Sequence, residues 1–335
     1  MTLVFMFPGQ SSRYAGMLDK LVGLDPHNAE LLEEASGLLG RDLGTHYRED
    51  NPAAFGCNRD IQIGVFLANH MFLRTLERAG VHADLSLGLS LGEYNHLVHI
   101  GALDFRDALL VVEQRGLAYD AGPCGSMAVV QPLALDALVD IATRASAKGV
   151  VEVVNLNSPR QNVLSGDAAA LEEALRLVEE ETVAHAVVID RQVPMHSSLF
   201  EPVRRAFRQA LETRPFASPQ HLYLPNRLGR FFGHPRREDF VELLAAHVCS
   251  PVLWRQSVDF VLQRRPDAAF VEVGPRSVLY NLLHPSWHRV PRYHTDTPEG
   301  TAEHLAQLIE ELRARLVPAL PHGAESVVLG DGAGV

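Results

Sequence analysis

Lysine is almost missing from this chain of 335 residues: of its 30 basic residues only Lys20 and Lys148 are lysines, and the rest are arginines. A GC-rich genome produces such a bias. Cysteine is scarce as well. Cys57, Cys124 and Cys249 are odd in number and far apart, which excludes a disulfide framework and any spaced metal-binding set, and points to a reducing compartment. No apolar run approaches the ~20 residues of a membrane span. Met1 leads straight into Leu3-Val4-Phe5-Met6-Phe7 without a basic leader, so a first core strand is expected there and not a signal peptide. A cytoplasmic protein with no membrane partner is the expectation. Positive charge is also in deficit. A formal net charge of −11 argues against nonspecific nucleic-acid binding. With 47% hydrophobic and 21% charged residues, the chain has room for one large domain or two unequal ones.

What is present centres on Gly88-Leu89-Ser90-Leu91-Gly92, a G-x-S-x-G pattern. An apolar stretch ending at Leu87 precedes it, and a helix start at Glu93 follows. A nucleophile elbow needs this context: glycines let the backbone turn sharply, the serine Oγ stands at the tip, and the next helix aims its N-terminal amides at a developing oxyanion. A structural serine in a Gly-rich turn would have the same pattern.

Around it, period and punctuation predict helices over 28–39, 61–78 (capped by Asn58 or Asp60 and ended by Gly80), 104–119, 198–213, 240–247, 258–264 and 301–316. Residues 10–17 and 41–57 read as irregular. From Ser126 the pattern changes to strand 126–130, helix 135–147, strands 150–156 and 161–165, helix 168–180 and strand 184–193. That β-α-β-β-α-β order is ferredoxin-like. The expectation is an α/β protein with a large α/β-hydrolase-like domain (1–125 and 193–316), an inserted small ferredoxin-like α+β domain (126–192), and a disordered tail at 317–335.

Further stretches accompany Ser90 in order: Phe7-Pro8-Gly9-Gln10-Ser11, Gln114-Arg115-Gly116, Asn157-Ser158-Pro159-Arg160-Gln161-Asn162, Val193-Pro194-Met195-His196-Ser197, Ser250-Pro251-Val252-Leu253-Trp254 and Glu272-Val273-Gly274-Pro275. Together they resemble the malonyl-CoA:acyl-carrier-protein transacylase family, from about Leu3 to about Leu283. The resemblance implies a discrete, trans-acting acyltransferase of polyketide or fatty-acid biosynthesis. Its substrates would be CoA or phosphopantetheine thioesters, with no tightly bound cofactor and no metal, and its partner an acyl carrier protein.

A serine needs a general base. The resemblance makes His196 that base, with its Nδ1 oriented by the backbone carbonyl of His247, a position where many relatives carry glutamine. It assigns Arg115 to a substrate carboxylate, which suits a planar guanidinium; a surface arginine paired to Glu113 or Asp120 is the alternative. Gln10 and Leu91 would supply the oxyanion-hole amides. Gln62, Leu89 and Met195 would line the pocket, Leu89 standing where most relatives have histidine. A bulky Met195 favours a small acyl group. A lipase-like chain would take its histidine from His284, His288 or His294 instead. The rival functions are an editing thioesterase of the same fold and a non-catalytic carrier-docking protein. Arg160, Arg255 and Arg276 are the candidate docking cations for an acidic carrier.

Overall fold

The computed structural model describes residues 1–285 and 287–316, so the expected tail at 317–335 lies outside the described residues. Two sheets organise the chain. The first joins β1 (Thr2–Phe7), β2 (Leu85–Gly88), β7 (Ala268–Glu272) and β8 (Arg292–His294) in the order β2-β1-β7-β8, with every neighbour parallel. Strands β2 and β7 and most of β1 are buried on both faces, as helices covering a parallel sheet require. The second joins β3 (Ser126–Gln131), β4 (Val151–Leu156), β5 (Asn162–Gly166) and β6 (His185–Asp190) in the antiparallel order β4-β5-β3-β6. Helices Leu135–Ala145 and Ala168–Glu181 cover one face of this sheet, closing a core of Ala128, Val130, Leu164 and their neighbours. That is the expected ferredoxin-like pattern. Met127 and Val163, on the opposite face, join the core of the larger body.

Register brings the catalytic-looking loops together. Phe7 pairs with Gly88, so the loops leaving β1 and β2 stand side by side, and Leu89 N donates to Phe7 O at 2.9 Å. Open α/β sheets place ligands outside these carboxyl ends. β4 is tied to the 250–254 segment through Val252 N to Val154 O (2.8 Å) and Leu156 N to Val252 O (3.0 Å), which fixes the second sheet against the first body.

Several local expectations need correction. Helices Met17–Leu24 and Val278–Leu282 and strand β8 are too short or too weakly periodic to read from pattern. Gln10–Ser12 and Leu43–His46 each form one helical turn inside stretches that read as irregular. Neither Asn58 nor Asp60 caps the long helix. It runs Asn58–Arg78 with Cys57 at the N-cap, and the carboxylate of distant Asp120 accepts from Asn58 N (2.7 Å) and Arg59 N (3.0 Å).

Candidate active site

Ser90 occupies the left-handed region at φ 53, between β2 and the helix Gly92–His99. The two glycines make that turn possible. A Cβ on Gly88 would lie 2.1 Å from the Gly92 carbonyl group, and one on Gly92 would lie 2.0 Å from Phe7 O. Asn226 staples the turn: its Oδ1 accepts Ser90 N at 2.8 Å and its Nδ2 donates to Gly88 O at 2.6 Å.

Ser90 Oγ meets His196 Nε2 at 2.8 Å. His196 is held at φ 66 by its amide on Val248 O (3.0 Å), and its Nδ1 donates to His247 O at 2.8 Å. That bond puts the ring proton on Nδ1 and leaves the Nε2 lone pair for the seryl hydroxyl. Burial, then the nearby Arg115 cation, pushes His196 down to about 3, with the His247 carbonyl opposing, so the imidazole is neutral at ordinary pH. The site can therefore deprotonate a serine using a neutral histidine.

Arg115 is fully buried. Its Nη2 donates to Ser90 Oγ at 3.2 Å, its Nη1 donates to Gln62 Oε1 at 2.8 Å, and its guanidinium lies 4.3 Å from the Tyr119 ring. It pairs with neither Glu113 nor Asp120; among the described residues it makes no ion pair at all. Arg115 Nε and Gln62 Nε2 are buried with no hydrogen-bond partner among the described residues.

A hollow of about 80 Å³ opens beside Ser90 and His196. Gly9, Gln10 and Leu89 wall it from the first body, Met127, Asn155, Val163 and Ile189 from the second sheet, and Met195 from the turn that follows β6. Leu89 and Met195 are thus pocket-wall residues, whereas neither Gln62 nor Arg115 lines the hollow: Gln62 touches Arg115, and Arg115 touches Ser90 Oγ from behind it. The Gln10 loop is pressed on the elbow, since a Cβ on Gly9 would lie 2.9 Å from Leu89 O. Among the described residues the amides of Gln10 and Leu91 donate to no acceptor. The rival histidines are engaged elsewhere: His288 with Asp259 (2.8 Å) and His294 with Asp296 O (2.7 Å), while His284 accepts the amides of Trp287 and His288 on its carbonyl. No cluster suited to a metal ion occurs among the described residues, and no helix among them is long and apolar enough to cross a membrane.

Sequence reading missed the support beneath the Ser90–His196 pair. Glu93, buried, accepts from Tyr223 OH (2.7 Å), and its other oxygen lies 3.1 Å from His247 Nδ1. The His247 ring stacks on His196 with centroids 4.8 Å apart. Asn226 and Tyr223 follow an irregular stretch that carries no period, and the only signal there is a polar Asn226 after Leu224-Pro225.

The sequence model of the acyl transferase domain family matches residues 4–304. The chain belongs to that family. One relative of this acyltransferase, the malonyl CoA-acyl carrier protein transacylase of Haemophilus influenzae, is 32% identical over 83% of this chain and 89% of its own length. Among solved structures, the acyl-carrier-protein S-malonyltransferase of Burkholderia pseudomallei superposes with a TM-score of 0.84 at 30% identity, covering 92% of this chain and 100% of its own. A malonyl-transacylase solved in complex with its type II polyketide-synthase acyl carrier protein superposes equally well, with a TM-score of 0.84 at 27% identity over 93% of this chain and 100% of its own.

Proposed function

We propose that this acyltransferase moves a malonyl-type acyl group from a CoA or carrier thioester to the phosphopantetheine thiol of an acyl carrier protein, through an ester on Ser90. The observation that carries this reading is Arg115. A fully buried guanidinium without a carboxylate partner is costly. Beside the seryl oxygen, a substrate carboxylate would relieve it. The 80 Å³ hollow suits a short acyl chain, and the names of the relatives fit the same chemistry.

In the first half-reaction His196 Nε2 takes the Ser90 proton as Oγ attacks the thioester carbonyl. The amides of Gln10 and Leu91 receive the oxyanion. The C–S bond breaks, and the departing sulfur takes the proton from His196. In the second, the carrier thiol gives its proton to His196 and attacks the ester; the C–O bond breaks and Ser90 recovers the proton. His247 O keeps the imidazole in the required tautomer throughout.

Intact-protein mass spectrometry with malonyl-CoA tests this reading. Wild type should gain one malonyl mass and lose it to a holo carrier. Ser90→Ala should gain none, and His196→Ala should acylate orders of magnitude more slowly, because the two side chains act as a unit. Arg115→Ala should depress acylation by malonyl thioesters, by about 3–5 kcal/mol of barrier, far more than by acetyl thioesters. Equal losses on both substrates would sink the carboxylate role.

A further inference from the structure

Two asparagines that do not line the hollow are fully buried, Asn69 within the helix Asn58–Arg78 and Asn95 within the helix Gly92–His99. Asparagine is a poor mid-helix residue, and a buried amide is costly unless its polar atoms are bonded. Here the bonds join both helices to the loop that carries Gln10. Asn69 Nδ2 donates to Pro8 O at 3.0 Å and to Asn95 Oδ1 at 2.9 Å, and Asn95 Nδ2 donates to Phe66 O at 3.0 Å. Backbone carbonyls set these directions. Pro8 O and Phe66 O can only accept, so each amide turns its nitrogen toward one of them.

The loop leaving β1 is held by its carbonyls. Phe7 O accepts Leu89 N at 2.9 Å, Gly9 O accepts Ser12 Oγ at 2.9 Å, and Gln10 O accepts Arg13 Nη1 at 3.1 Å. The Gly9 and Gln10 bonds stay within the loop, whereas those at Phe7 and Pro8 reach other elements. Pro8 O, two residues before Gln10, is tied to Asn69. The far end of that bridge, Asn95, stands one turn into the helix that opens directly after Leu91. One side-chain amide therefore links the segments that carry Gln10 N and Leu91 N, both without an acceptor among the described residues. Packing leaves the bridge little freedom. A Cβ on Gly274 would lie 2.2 Å from Asn69 Oδ1 and 2.5 Å from Pro8 Cγ, so the loop after β7 closes on both residues.

We infer that Asn69 is a positioning residue: by bridging Pro8 O and Asn95 it sets the separation of the Gln10 and Leu91 amides that receive the oxyanion. The inference rests on the acyl-transfer reading. Oxyanion-hole donors gain most where charge develops, so a misplaced donor weakens the tetrahedral state and spares the bound thioester. Loss of the bridge should slow the chemical step alike for every acyl group. That separates Asn69 from Arg115, whose loss should discriminate malonyl from acetyl.

The test follows two reactions of Ser90 in the full chain. One is single-turnover acylation by malonyl-CoA and by acetyl-CoA. The other is phosphonylation by a fluorophosphonate: Ser90 Oγ bonds to phosphorus, fluoride leaves, His196 takes the proton, and the phosphoryl oxygen enters the oxyanion hole without any thioester. Asn69→Ala should lower the maximal acylation rate about tenfold or more with both acyl groups, lower phosphonylation by a like factor, and keep the KM for malonyl-CoA within about twofold. Asn69→Ser, which keeps one hydroxyl donor, should lose less, about three- to tenfold, and carries the comparison alone if Asn69→Ala does not fold. Asn28→Ala separates a lost bridge from a damaged fold. It removes another buried amide bond, Asn28 Nδ2 to Leu21 O at 2.8 Å, so its thermal midpoint should fall while both rates stay within about twofold of wild type. Unchanged rates in the Asn69 variants, a loss confined to KM, or an equal loss in Asn28→Ala overturns the inference. A wild type that reacts with the fluorophosphonate but takes no acyl group from either thioester would remove the acyl-transfer reading. The phosphonylation rates of the variants would then still decide the role of Asn69.

Discussion

At the scale of single residues, buried ionisable groups dominate the behaviour of this protein. Burial raises Glu93 to about 7 and Glu272 to about 8, against an ordinary value near 4.5. Glu272 Oε2 accepts Tyr280 N at 2.8 Å, and its Oε1 has no hydrogen-bond partner among the described residues. Because its folded value is raised, the native state holds the proton longer than the unfolded chain. The stabilisation is complete below about 4.5 and is lost as pH rises through about 8. Glu272→Gln should therefore flatten the decline in thermal midpoint across that window, as scanning calorimetry would show; an unchanged decline would place the titration elsewhere. His247 raises a different question. Both of its ring nitrogens are buried without an aligned hydrogen bond, and it is the carbonyl that holds His196. His247→Gln should then keep Ser90 acylation within about threefold, under about 1 kcal/mol of barrier. A larger loss would mean that the stacked ring, and not the carbonyl, orients the base.

At the scale of elements, the elbow is the least tolerant part of the chain. Gly88→Ala and Gly92→Ala each force a Cβ to within 2.1 Å of backbone that belongs to the turn or to β1. Each should cost more than about 3 kcal/mol or prevent folding. Gly37, exposed within the helix Pro26–Leu39, has nothing within 4 Å of an added Cβ. Gly37→Ala should stabilise by about 0.5–1 kcal/mol in urea titrations. The contrast shows what the sequence could disclose. Helices with a sustained apolar face, the ferredoxin-like strand order and the G-x-S-x-G turn are local patterns, and they are legible. Ser90 and His196 were linked only through a family resemblance, since nothing local brings residues 106 apart to 2.8 Å. Asn226 on Ser90, Tyr223 on Glu93 and Asp120 on the start of the helix Asn58–Arg78 are contacts made by tertiary packing, and their residues lie in aperiodic stretches or on the far end of another helix. The missed β8 is three residues long and gains its place from pairing with β7, not from its own pattern.

At the scale of the whole molecule, a net charge of −11 sets the terms of any encounter with an acidic carrier. The net charges repel, yet beyond about 8 Å at physiological salt that repulsion is screened, so arginines near the opening decide the approach. The hollow opens between the two sheets, and the candidates flanking it in sequence are not equivalent. Arg255 is already engaged with Asp259, 3.6 Å away, and His288 shares that carboxylate. Arg160 is exposed, and its backbone carbonyl accepts Leu133 N at 2.9 Å, which fixes its place at the rim of the second sheet. Arg160 should therefore matter more for carrier docking than Arg255. Arg160→Glu is expected to raise the KM for a holo carrier severalfold, by about 1 kcal/mol for an exposed pair, and to leave acylation by malonyl-CoA nearly intact. The effect should shrink as salt rises, because the pair it breaks is solvent-exposed. Arg255→Glu should have the smaller effect on both half-reactions. Measured separately over a salt series, the two half-reactions decide the matter: carrier transfer that is indifferent to salt in wild type, or to charge reversal at Arg160, would move the docking surface to another face of the protein.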